Sequence, residues 1–433
     1  MKVHLFNIIS FLCLSFVLCL SQNSTGQNVV NNGGKIVVRE GANVIIGGNY
    51  INKNDGVNDG IVNLDGNIIL KRNWVNLANN DVLVSVGTSL VGNVIMNGTL
   101  NQYIEGTHST LFENLKIKNS KKILNVTDCR VHDTLFVDAV LDLNTHRLKI
   151  LNQKPIGIDY LSNYIYSETN TNEGLGEIDW QIGSQINSYT VPFGSGYSNS
   201  SDLAVTINTK TSGFPTNGSI RFATYPTDCQ NVPYPPDVFQ LDRSFEYVAD
   251  RFWNIDPIYD TKPDVGIQLH YLSQEVNQSC NNGLHEVSMQ AIRYNTLQHT
   301  WDDVVPMGTS YPGEQKFMID YVSSQNFYAP WCLVSEVIDW EIFFPNAFTP
   351  NGDGTNEYFS PIGYNLDKLS FTMYIYNRWG GLVYVMDDIN KPWNGTTGTS
   401  GKLCLQGVYS WIMFLTDGDG MKHKYSGIVT LIQ

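Results

Sequence analysis

The sequence predicts an all-β protein, and three observations lead to this prediction. Gly, Asn, Ser, Thr and Tyr are plentiful, while charged residues make up only 16% of the chain. Short apolar runs alternate with turn-rich connections, and few stretches show sustained helical periodicity. In chain order we expect an N-terminal β-solenoid, a middle antiparallel β-sandwich and a C-terminal immunoglobulin-like sandwich. The 433 residues suffice for about three ordinary domains.

Residues 1–26 are typical of a secretory signal peptide. Lys2 gives a cationic start, an apolar stretch runs from Leu5 to Leu20, and small and polar residues follow it. Cleavage is expected after Ser21 or Gly26. The apolar stretch is short for a membrane span and no run of spanning length follows it. We therefore predict export and no transmembrane span.

Residues 28–154 repeat a theme that predicts the solenoid. Five segments hold short strands separated by Gly, Asn or Asp turns, and they begin about 25 residues apart. One unit cannot bury its apolar face alone, but stacked units share a continuous core of Ile, Val and Leu. A β-sandwich of short hairpins is the alternative. The segments are GKIVVREGANVIIGGNYIN, DGIVNLDGNIILKRNWVN, GTSLVGNVIMNGTLNQYIEG, STLFENLKIKNSKKILNVT and DTLFVDAVLDLNTHRLKIL.

Residues 155–337 are richer in aromatic side chains and predict the antiparallel sandwich. Short apolar runs lie between connections that are rich in Gly, Pro and Asn. We expect Trp180, Trp253 and Trp301 to fill the space between two sheets. Only the segment PPDVFQLDRSFEYVADRF is long and mixed enough to contain a short helix.

Residues 341–433 predict the third domain, because six or seven short strands in about ninety residues are typical of an immunoglobulin-like sandwich. The run Asp417-Gly418-Asp419-Gly420 predicts a hairpin turn. The candidate strands are Glu341–Phe344, Tyr358–Ile362, Phe371–Asn377, Leu382–Met386, Gly407–Leu415 and Gly427–Ile432.

The net charge of −14 makes nucleic acid a poor partner, because a binder needs a concentrated basic face. The cysteines that follow the signal peptide show no CxxC spacing, so no zinc site is predicted. In an exported protein some of them can form disulfides, and Cys229 with Cys280 is the first candidate pair. An odd count leaves at least one thiol without an intramolecular partner. These cysteines are Cys129, Cys229, Cys280, Cys332 and Cys404.

The run FFPNAFTPNGDGTNEYF opens the third domain with an unusual density of turn residues. Pro345 and Pro350 lack an amide hydrogen, so the chain must leave any central sheet ladder there. The following seven residues supply five oxygen-bearing side chains and two glycines. These side chains can satisfy themselves in Asx turns. Alternatively they gather a Ca²⁺ ion, which is the one cofactor left open. The candidate ligands are Asn351, Asp353, Asn356 and Glu357.

Five motifs follow one another in this tail: FPNAFTPNGDGTNEYF, YIYNRWGGLVY, WNG, LQGVYSWIMFLTDGDG and YSGIVTLIQ. In this order they closely resemble the type B C-terminal sorting domain, also called the gliding-motility-associated C-terminal domain. This chain has Glu357 and Asn394 at two positions where the family usually has Asp. The motif residues are Asn346, Pro350, Asn351, Gly352, Asp353, Gly354, Asn377, Arg378, Trp379, Gly380, Trp393, Gly395, Gly407 and Tyr409.

The resemblance implies a route of export. Such a domain is read by the type IX secretion machinery after a signal peptide has carried the chain across the inner membrane. The cargo then crosses the outer membrane and is released or retained at the cell surface. The implied partner is the translocon of this machinery. Two roles stay open for Arg378 and Trp379, which serve either recognition or packing.

The upstream regions show no catalytic pattern. No GxSxG elbow occurs, and Gly194-Ser195-Gly196 predicts a turn. His108 and His132 lie about one repeat apart, so they can stack on one face of the solenoid as solvated groups. Glu177 and Asp179 share one face of a strand, where exposure to solvent explains them. We therefore predict no catalytic residue.

Two classes of function follow from these observations. We favour a non-catalytic secreted or cell-surface protein used for adhesion, structure or glycan contact, because exposed aromatic rings on a rigid β scaffold suit sugar faces. The alternative is a polysaccharide-degrading enzyme with a catalytic groove on the solenoid. Such a groove needs two carboxyl groups within about 5–10 Å of each other.

Overall fold

The computed structural model describes residues 26–433 except 84–91, 127, 162, 169, 172–173, 197–200, 240, 242–244, 277–283, 304–307, 336–340, 365, 367–368, 399 and 417–421. The predicted signal peptide up to residue 25, the predicted 417–420 turn and Cys280 lie outside the described residues. The described helical segments are single 3₁₀ turns: Pro155–Gly157, Phe245–Tyr247, Ser273–Glu275, Glu286–Ser288, Pro312–Glu314 and Ser324–Asn326. Because strands account for the remaining regular structure there, the all-β prediction is confirmed.

The strands of the N-terminal region are β1 Val29–Asn32, β2 Lys35–Val38, β3 Asn43–Ile46, β4 Tyr50–Lys53, β5 Ile61–Leu64, β6 Asn67–Leu70, β7 Trp74–Leu77, β8 Asn93–Met96, β9 Gln102–Gly106, β10 Leu111–Lys118, β11 Lys122–Asn125, β12 Cys129–Asp138, β13 Leu141–Asp142, β14 Arg147–Ile150, β15 Ile158–Tyr160 and β16 Ile165–Tyr166.

The strands of the middle region are β17 Asn170–Thr171, β18 Gly174–Leu175, β19 Glu177–Trp180, β20 Ser188–Val191, β21 Val205–Thr209, β22 Ser219–Pro226, β23 Arg251–Ile258, β24 Val265–His270, β25 Met289–Asn295, β26 Thr300–Asp303, β27 Thr309–Tyr311, β28 Lys316–Val322 and β29 Trp331–Ser335. The C-terminal strands are β30 Glu341–Phe343, β31 Ala347–Phe348, β32 Ile362–Tyr364, β33 Ser370–Tyr376, β34 Leu382–Met386, β35 Gly407–Thr416 and β36 Lys422–Leu431.

The described residues form two compact units. The first contains the described part of Met1–Tyr225, together with Trp253–His270 and Asp320–Pro330. The second contains Pro226–Phe252, Tyr271–Ile319 and Trp331–Gln433. The predicted domain boundaries near residues 154 and 337 stay a prediction.

The first unit begins with a β-solenoid of about five turns, as the repeats predict. One sheet has the order β1-β4-β7-β9-β11-β13-β16, and a second runs through β3-β6-β8-β10-β12 with β14 and β15 on β12. The pairs along both sheets are parallel. The strand pair β2–β5 is parallel too. Stacked apolar residues fill the interior: Ile46, Leu70, Met96, Ile117 and Val137 follow one another in register and are buried.

Asparagine ladders explain the high asparagine content of the solenoid. Asn31, Asn52 and Asn76 occupy equivalent positions on β1, β4 and β7, and all three are buried. The Asn52 side-chain amide donates to the Gly60 carbonyl at 2.7 Å, and its oxygen accepts the Tyr50 hydroxyl at 3.0 Å. A buried polar group must find such partners. The buried asparagine side chains therefore supply hydrogen-bond partners to backbone carbonyls in the turns of successive coils.

The solenoid sheet continues past residue 154 within the first unit. Strand β19 pairs in parallel with β14, matching Ile150 to Trp180, and then pairs antiparallel with β22. The Trp180 indole donates to the Asn152 carbonyl at 2.8 Å and packs edge-on against Tyr189 at 5.2 Å. The sequence did not predict this continuity, because the paired strands are separated by long irregular connections.

Beyond β19 the described pairs of the middle region are antiparallel, as predicted for β20-β21-β24, β25 with β26 and β29, and β27–β28. Trp180, Trp253 and Trp301 are buried, as expected, and their place between two sheets stays a prediction. The segment expected to contain a short helix has only the single 3₁₀ turn Phe245–Tyr247 among its described residues.

The C-terminal residues form a five-stranded sheet with the order β31-β36-β35-β33-β34 and a two-stranded pair β30–β32. Strand β31 is parallel to β36, and the other pairs are antiparallel. The two-residue strand β31 lies at the sheet edge between Pro345 and Pro350, where proline can be tolerated. The immunoglobulin-like assignment of this domain stays a prediction.

One predicted C-terminal strand was placed wrongly. We expected a strand over Tyr358–Ile362, whereas β32 covers Ile362–Tyr364. Phe359 instead makes an isolated bridge to Trp393 and is fully buried. The alternating aromatic pattern therefore reflects a buried loop residue that packs into the core, and not an extended strand.

Candidate functional site

The turn that joins β33 to β34 carries the motif Asn377-Arg378-Trp379-Gly380. The Asn377 side-chain oxygen accepts the amides of Trp379 at 3.0 Å and Gly381 at 2.9 Å. The Gly380 amide donates to the Asn377 carbonyl at 2.9 Å. Gly380 has a φ of 80°, which residues with a Cβ rarely adopt. Asn377 and Gly380 thus build the turn, which needs neither the Arg378 nor the Trp379 side chain.

Arg378 and Trp379 form a solvent-exposed tip. The Trp379 side chain is 75% exposed. The Arg378 guanidinium carbon lies 4.9 Å from the centroid of the Trp379 ring, within cation–π range. The packing alternative is therefore wrong for Trp379, whereas Arg378 does stack on an aromatic ring.

A groove of about 160 Å³ adjoins the tip. It collects two motifs that are distant in sequence, because β33 pairs with β35 and places Tyr376 opposite Ser410. The groove thus combines a guanidinium, an indole and an apolar wall. Its lining residues are Asn377, Arg378, Trp379, Val383, Thr397, Cys404, Leu405, Gly407, Val408 and Tyr409.

Tyr409 and Trp393 support the groove from the core. The Tyr409 hydroxyl donates to the Leu405 carbonyl at 2.7 Å, and its ring packs edge-on against Trp393 at 5.0 Å. Trp393 is fully buried and packs against Phe348, with 5.1 Å between the ring centroids. Burial raises the pKa of the Cys404 thiol, so this groove residue is not an activated nucleophile.

The motif Trp393-Asn394-Gly395 forms a hydrogen-bonded turn that packs against the opening run and the final strand. The Asn394 side-chain oxygen accepts the Thr396 amide at 3.1 Å and hydroxyl at 2.7 Å, which an Asp could do equally. A Cβ on Gly395 would lie 2.7 Å from Leu431 Cδ1 and 3.1 Å from Pro350 Cγ. Gly395 is therefore required for close packing. It lies between Pro350, the second proline of the opening run, and Leu431 on the final strand.

The loop at 351–357 has the geometry of the Asx-turn alternative. The Glu357 carboxylate accepts the amides of Gly352 at 3.0 Å and Gly354 at 2.9 Å. Asp353 accepts the Thr355 amide at 2.8 Å and the Asn351 side-chain amide at 2.9 Å, and these bonds lower the pKa of Asp353.

The remaining predicted loop residues also have structural partners. The Asn356 carbonyl accepts the Thr349 amide at 2.7 Å, and the Asn346 carbonyl accepts the Thr430 amide at 2.9 Å. The described residues contain no group of three or more His, Cys, Asp or Glu side chains placed to hold a metal ion. A Ca²⁺ ion in this loop would thus compete with the amide groups that already donate hydrogen bonds to Glu357 and Asp353.

The candidate polar residues upstream are engaged in pairs. Glu177 contacts Arg147 at 2.7 Å, and His132 contacts Glu113 at 3.1 Å. The Ser195 hydroxyl donates to Asp202 at 2.9 Å within its turn. These pairs leave Glu177 and Ser195 in structural contacts of the kind found in any stable sheet or turn. The predicted exposure to solvent is wrong for Asp179, which is buried because β19 lies between β14 and β22.

The cysteines divide into free and bonded groups. Cys129, Cys332 and Cys404 are buried and carry thiols that form no disulfide. Cys229 is disulfide-bonded, and its predicted partner Cys280 lies outside the described residues. A buried free thiol is chemically inert unless its pKa is lowered, and burial instead raises the pKa of Cys129 to about 12.

The structure thus defines an all-β protein with a solenoid and a C-terminal module, which presents the Arg378–Trp379 tip to solvent. Residues 342–431 match the family model of the CHU_C type IX secretion signal domain. The chain therefore carries a type IX secretion signal, which directs export to the cell surface or the extracellular space through that secretion system. No curated protein matches the chain. None of the helices within the described residues has the length and apolar character that a membrane span requires.

Proposed function

We propose that the Arg378–Trp379 tip and its groove are the recognition surface of this secretion signal. We further propose that the β-rich regions ahead of it act without catalysis in adhesion, structure or glycan contact. The observation that carries the first proposal is the 75% exposure of Trp379 on a turn that does not need its side chain. An indole held in water contributes no burial energy to the fold.

The chemistry of the tip suits a protein partner. Trp and Arg are the residues that most often dominate binding energy at protein interfaces. Stacking of Arg378 on Trp379 orders both side chains before contact, which lowers the entropy that binding must overcome. The guanidinium suits a carboxylate or a carbonyl on the partner, while the ring suits an apolar pocket.

The upstream regions support a scaffold role. Their buried amides form ladders along the solenoid, and a stacked core of this kind is rigid along its whole length. In the middle region Phe239 and Phe245 are 71% and 41% exposed. Exposed aromatic rings on a rigid β framework suit contact with sugar faces, so a surface polysaccharide is the proposed ligand.

Export of the full chain tests the recognition surface. In a type IX-competent cell, Trp379→Ala and Arg378→Ala should accumulate in the periplasm, while wild type reaches the medium or the surface. Phe239→Ala is the matched control, because it removes an exposed ring outside the signal domain. If the double variant Arg378→Ala/Trp379→Ala is exported at the wild-type level, the proposed recognition surface is wrong.

One observation favours the enzyme alternative for the upstream regions. Asp179 lies 3.8 Å from Arg221, and burial raises the pKa of Asp256, which Arg221 and Lys262 lower in turn. Both carboxyl groups thus interact with the Arg221 guanidinium, and cleavage of a glycosidic bond requires a pair of carboxyl groups, one as acid and one as base or nucleophile.

Binding and hydrolysis distinguish the two candidates. The non-catalytic proposal predicts binding of the mature chain on a glycan array without release of reducing sugar from the bound polysaccharide. Release of reducing sugar that Asp179→Asn and Asp256→Asn abolish would instead establish the enzyme. Asp237→Asn serves as the control, because Asp237 is exposed and lies outside these contacts.

A further inference from the structure

The C-terminal sheet has one apolar face in its core and a second apolar face in solvent. On the inner side Met373, Ile375, Trp411 and Met413 are buried. A sheet with one solvated face normally alternates apolar and polar residues. Here the opposite side carries exposed large hydrophobic residues, which we call the outer sheet face: Leu382, Val385, Val408, Phe414 and Ile428, exposed by 53%, 43%, 50%, 49% and 61%.

The register shows that the outer sheet face is contiguous across β33, β34 and β35, while Ile428 on β36 lies opposite Ser410 and next to this surface. Tyr374 lies opposite both Val385 on β34 and Ile412 on β35. Tyr376 lies opposite Leu382, while Tyr374 packs edge-on against Phe414 with 6.5 Å between ring centroids. Contiguous exposed apolar surface of this kind marks an interaction site, whereas isolated exposed residues do not.

The charge of this sheet differs from that of the chain. Strands β33, β34, β35 and β36 contain no Asp or Glu, although the chain has a net charge of −14. Lys422 and Lys424 lie at one end of the outer sheet face, with Lys424 Nζ 5.8 Å from the centroid of the Phe414 ring. Among its strand residues the face is therefore apolar with two lysines at one end. The connection 417–421 that precedes Lys422 in sequence carries Asp417 and Asp419 and lies outside the described residues.

We propose that the outer sheet face docks a protein component of the secretion machinery through an apolar surface with an acidic rim. The face is continuous with the tip, because Tyr376 and Leu382 are the last and first strand residues on either side of the turn that carries Arg378 and Trp379. This inference rests on the proposed recognition role of that tip, and it extends the contact from one turn to a whole sheet.

Two other occupants fit the face less well. A second copy of the chain would bring equivalent cationic ends into a self-complementary contact that offers no carboxylate from these strands. An anionic membrane would have to accommodate Ser410 and Ser426, which lie between the apolar residues on the same face. An acidic, apolar protein surface meets both features, because its carboxylates can pair with the lysines at one end and its polar groups can bond to the serine hydroxyls within the face.

The test uses the full chain in type IX-competent cells. Ile428→Glu and Phe414→Glu should lower the exported fraction about tenfold, since loss of one good contact corresponds to a tenfold change in affinity, and neither residue lines the groove beside the tip. Lys424→Glu should lower export as well, whereas Lys424→Arg should retain it. Ile45→Glu is the matched control, because Ile45 is exposed by 65% on a solenoid strand. Unchanged thermal unfolding of each variant excludes misfolding as the cause.

Each other outcome overturns the inference. If Ile428→Glu is exported normally while Trp379→Ala is retained, the outer sheet face is not a docking surface but the recognition tip stands. Normal export of both variants overturns both proposals. A concentration-dependent dimer that Ile428→Glu abolishes without loss of export assigns the face to self-association. Binding to phosphatidylglycerol vesicles that Ile428→Glu abolishes, again with normal export, assigns it to a membrane.

Discussion

The solenoid and the C-terminal domain are both built from β-strands, but they distribute their stabilising contacts differently. In the solenoid each coil contacts its neighbours through repeated positions, such as the buried amides of Asn31, Asn52 and Asn76. The C-terminal domain instead gathers rings from distant motifs around Trp393. Stability is therefore spread along the solenoid and concentrated at one centre in the C-terminal domain.

This difference also determines which surfaces are available for binding. In the solenoid, alternate side chains stack in the interior. Few large apolar side chains are therefore exposed to solvent in its described residues beyond the first coil. The C-terminal sheet is apolar on both faces, and only its inner face is covered by the core. The side chains that each fold requires are therefore buried, whereas the large apolar side chains on the outer sheet face are exposed and are not needed for its core.

The largest expected effect is loss of the aromatic centre. Trp393→Ala should lower the free energy of unfolding of the C-terminal domain by about 3–5 kcal/mol, because it leaves a cavity between Phe348 and Tyr409. Trp379→Ala removes an equal volume from the exposed tip and should change stability by less than about 0.5 kcal/mol. Urea denaturation followed by limited proteolysis measures both. Equal effects of the two variants would contradict the assignment of Trp393 to the core and Trp379 to solvent.

A pH titration outside both regions provides an internal reference. Burial, with the nearby Glu275 and Asp228, raises the pKa of Asp250 to about 7 from its ordinary value of 3.8. Between these values the folded chain keeps a proton that the unfolded chain releases, so stability falls as pH rises through this window. Asp250→Asn should therefore raise the melting temperature more at pH 8 than at pH 4, by an amount equivalent to about 2–4 kcal/mol.

The control for this titration is Asp237→Asn, which changes an exposed carboxylate on the same stretch of chain. It should leave the melting temperature equal to that of wild type at both pH values. A gain from Asp250→Asn that is the same at pH 4 and pH 8 would show that its cause is packing and not ionisation.

A smaller effect is expected for one step of the asparagine ladder. Asn52→Ala leaves the Tyr50 hydroxyl and the Gly60 carbonyl without their buried partner, which should destabilise the solenoid by about 1–3 kcal/mol. Asn43→Ala is the control, because Asn43 is an exposed end of another ladder and accepts one bond from Asn67. Differential scanning calorimetry measures both variants. A larger loss for Asn43→Ala would show that burial does not set the strength of these ladders.

The smallest expected effect concerns calcium. Because Glu357 and Asp353 already accept backbone amides, addition of EDTA should leave the melting temperature of the C-terminal domain unchanged. A fall of several degrees on chelation, restored by Ca²⁺ but not by Mg²⁺, would establish the metal alternative for this loop.

Repetition and motif spacing made much of the fold predictable. The apolar ladders follow from the repeat alone, since equivalent positions must stack when coils stack. The turn at 377–381 was predictable in outline, because Asn and Gly are the residues that such a turn requires. The sequence did not decide whether Trp379 was buried, since a core tryptophan and an exposed one look the same in a motif.

The outer sheet face was not predictable for a related reason. Strand β35 has the sequence GVYSWIMFLT, which is apolar at most positions and is typical of a strand buried on both sides. Only the sheet order shows that one side has no cover. In the same way Phe359 lies in an alternating aromatic stretch, and its bridge to Trp393 depends on a contact between distant loops.

The position of strand β36 has a consequence for the assembly of the C-terminal sheet. It pairs with β35 along ten residues and with β31 on its other side, so it occupies an interior place in the sheet although it follows the other described strands in sequence. The edge strand β31 therefore has no place to pair until β36 has joined β35.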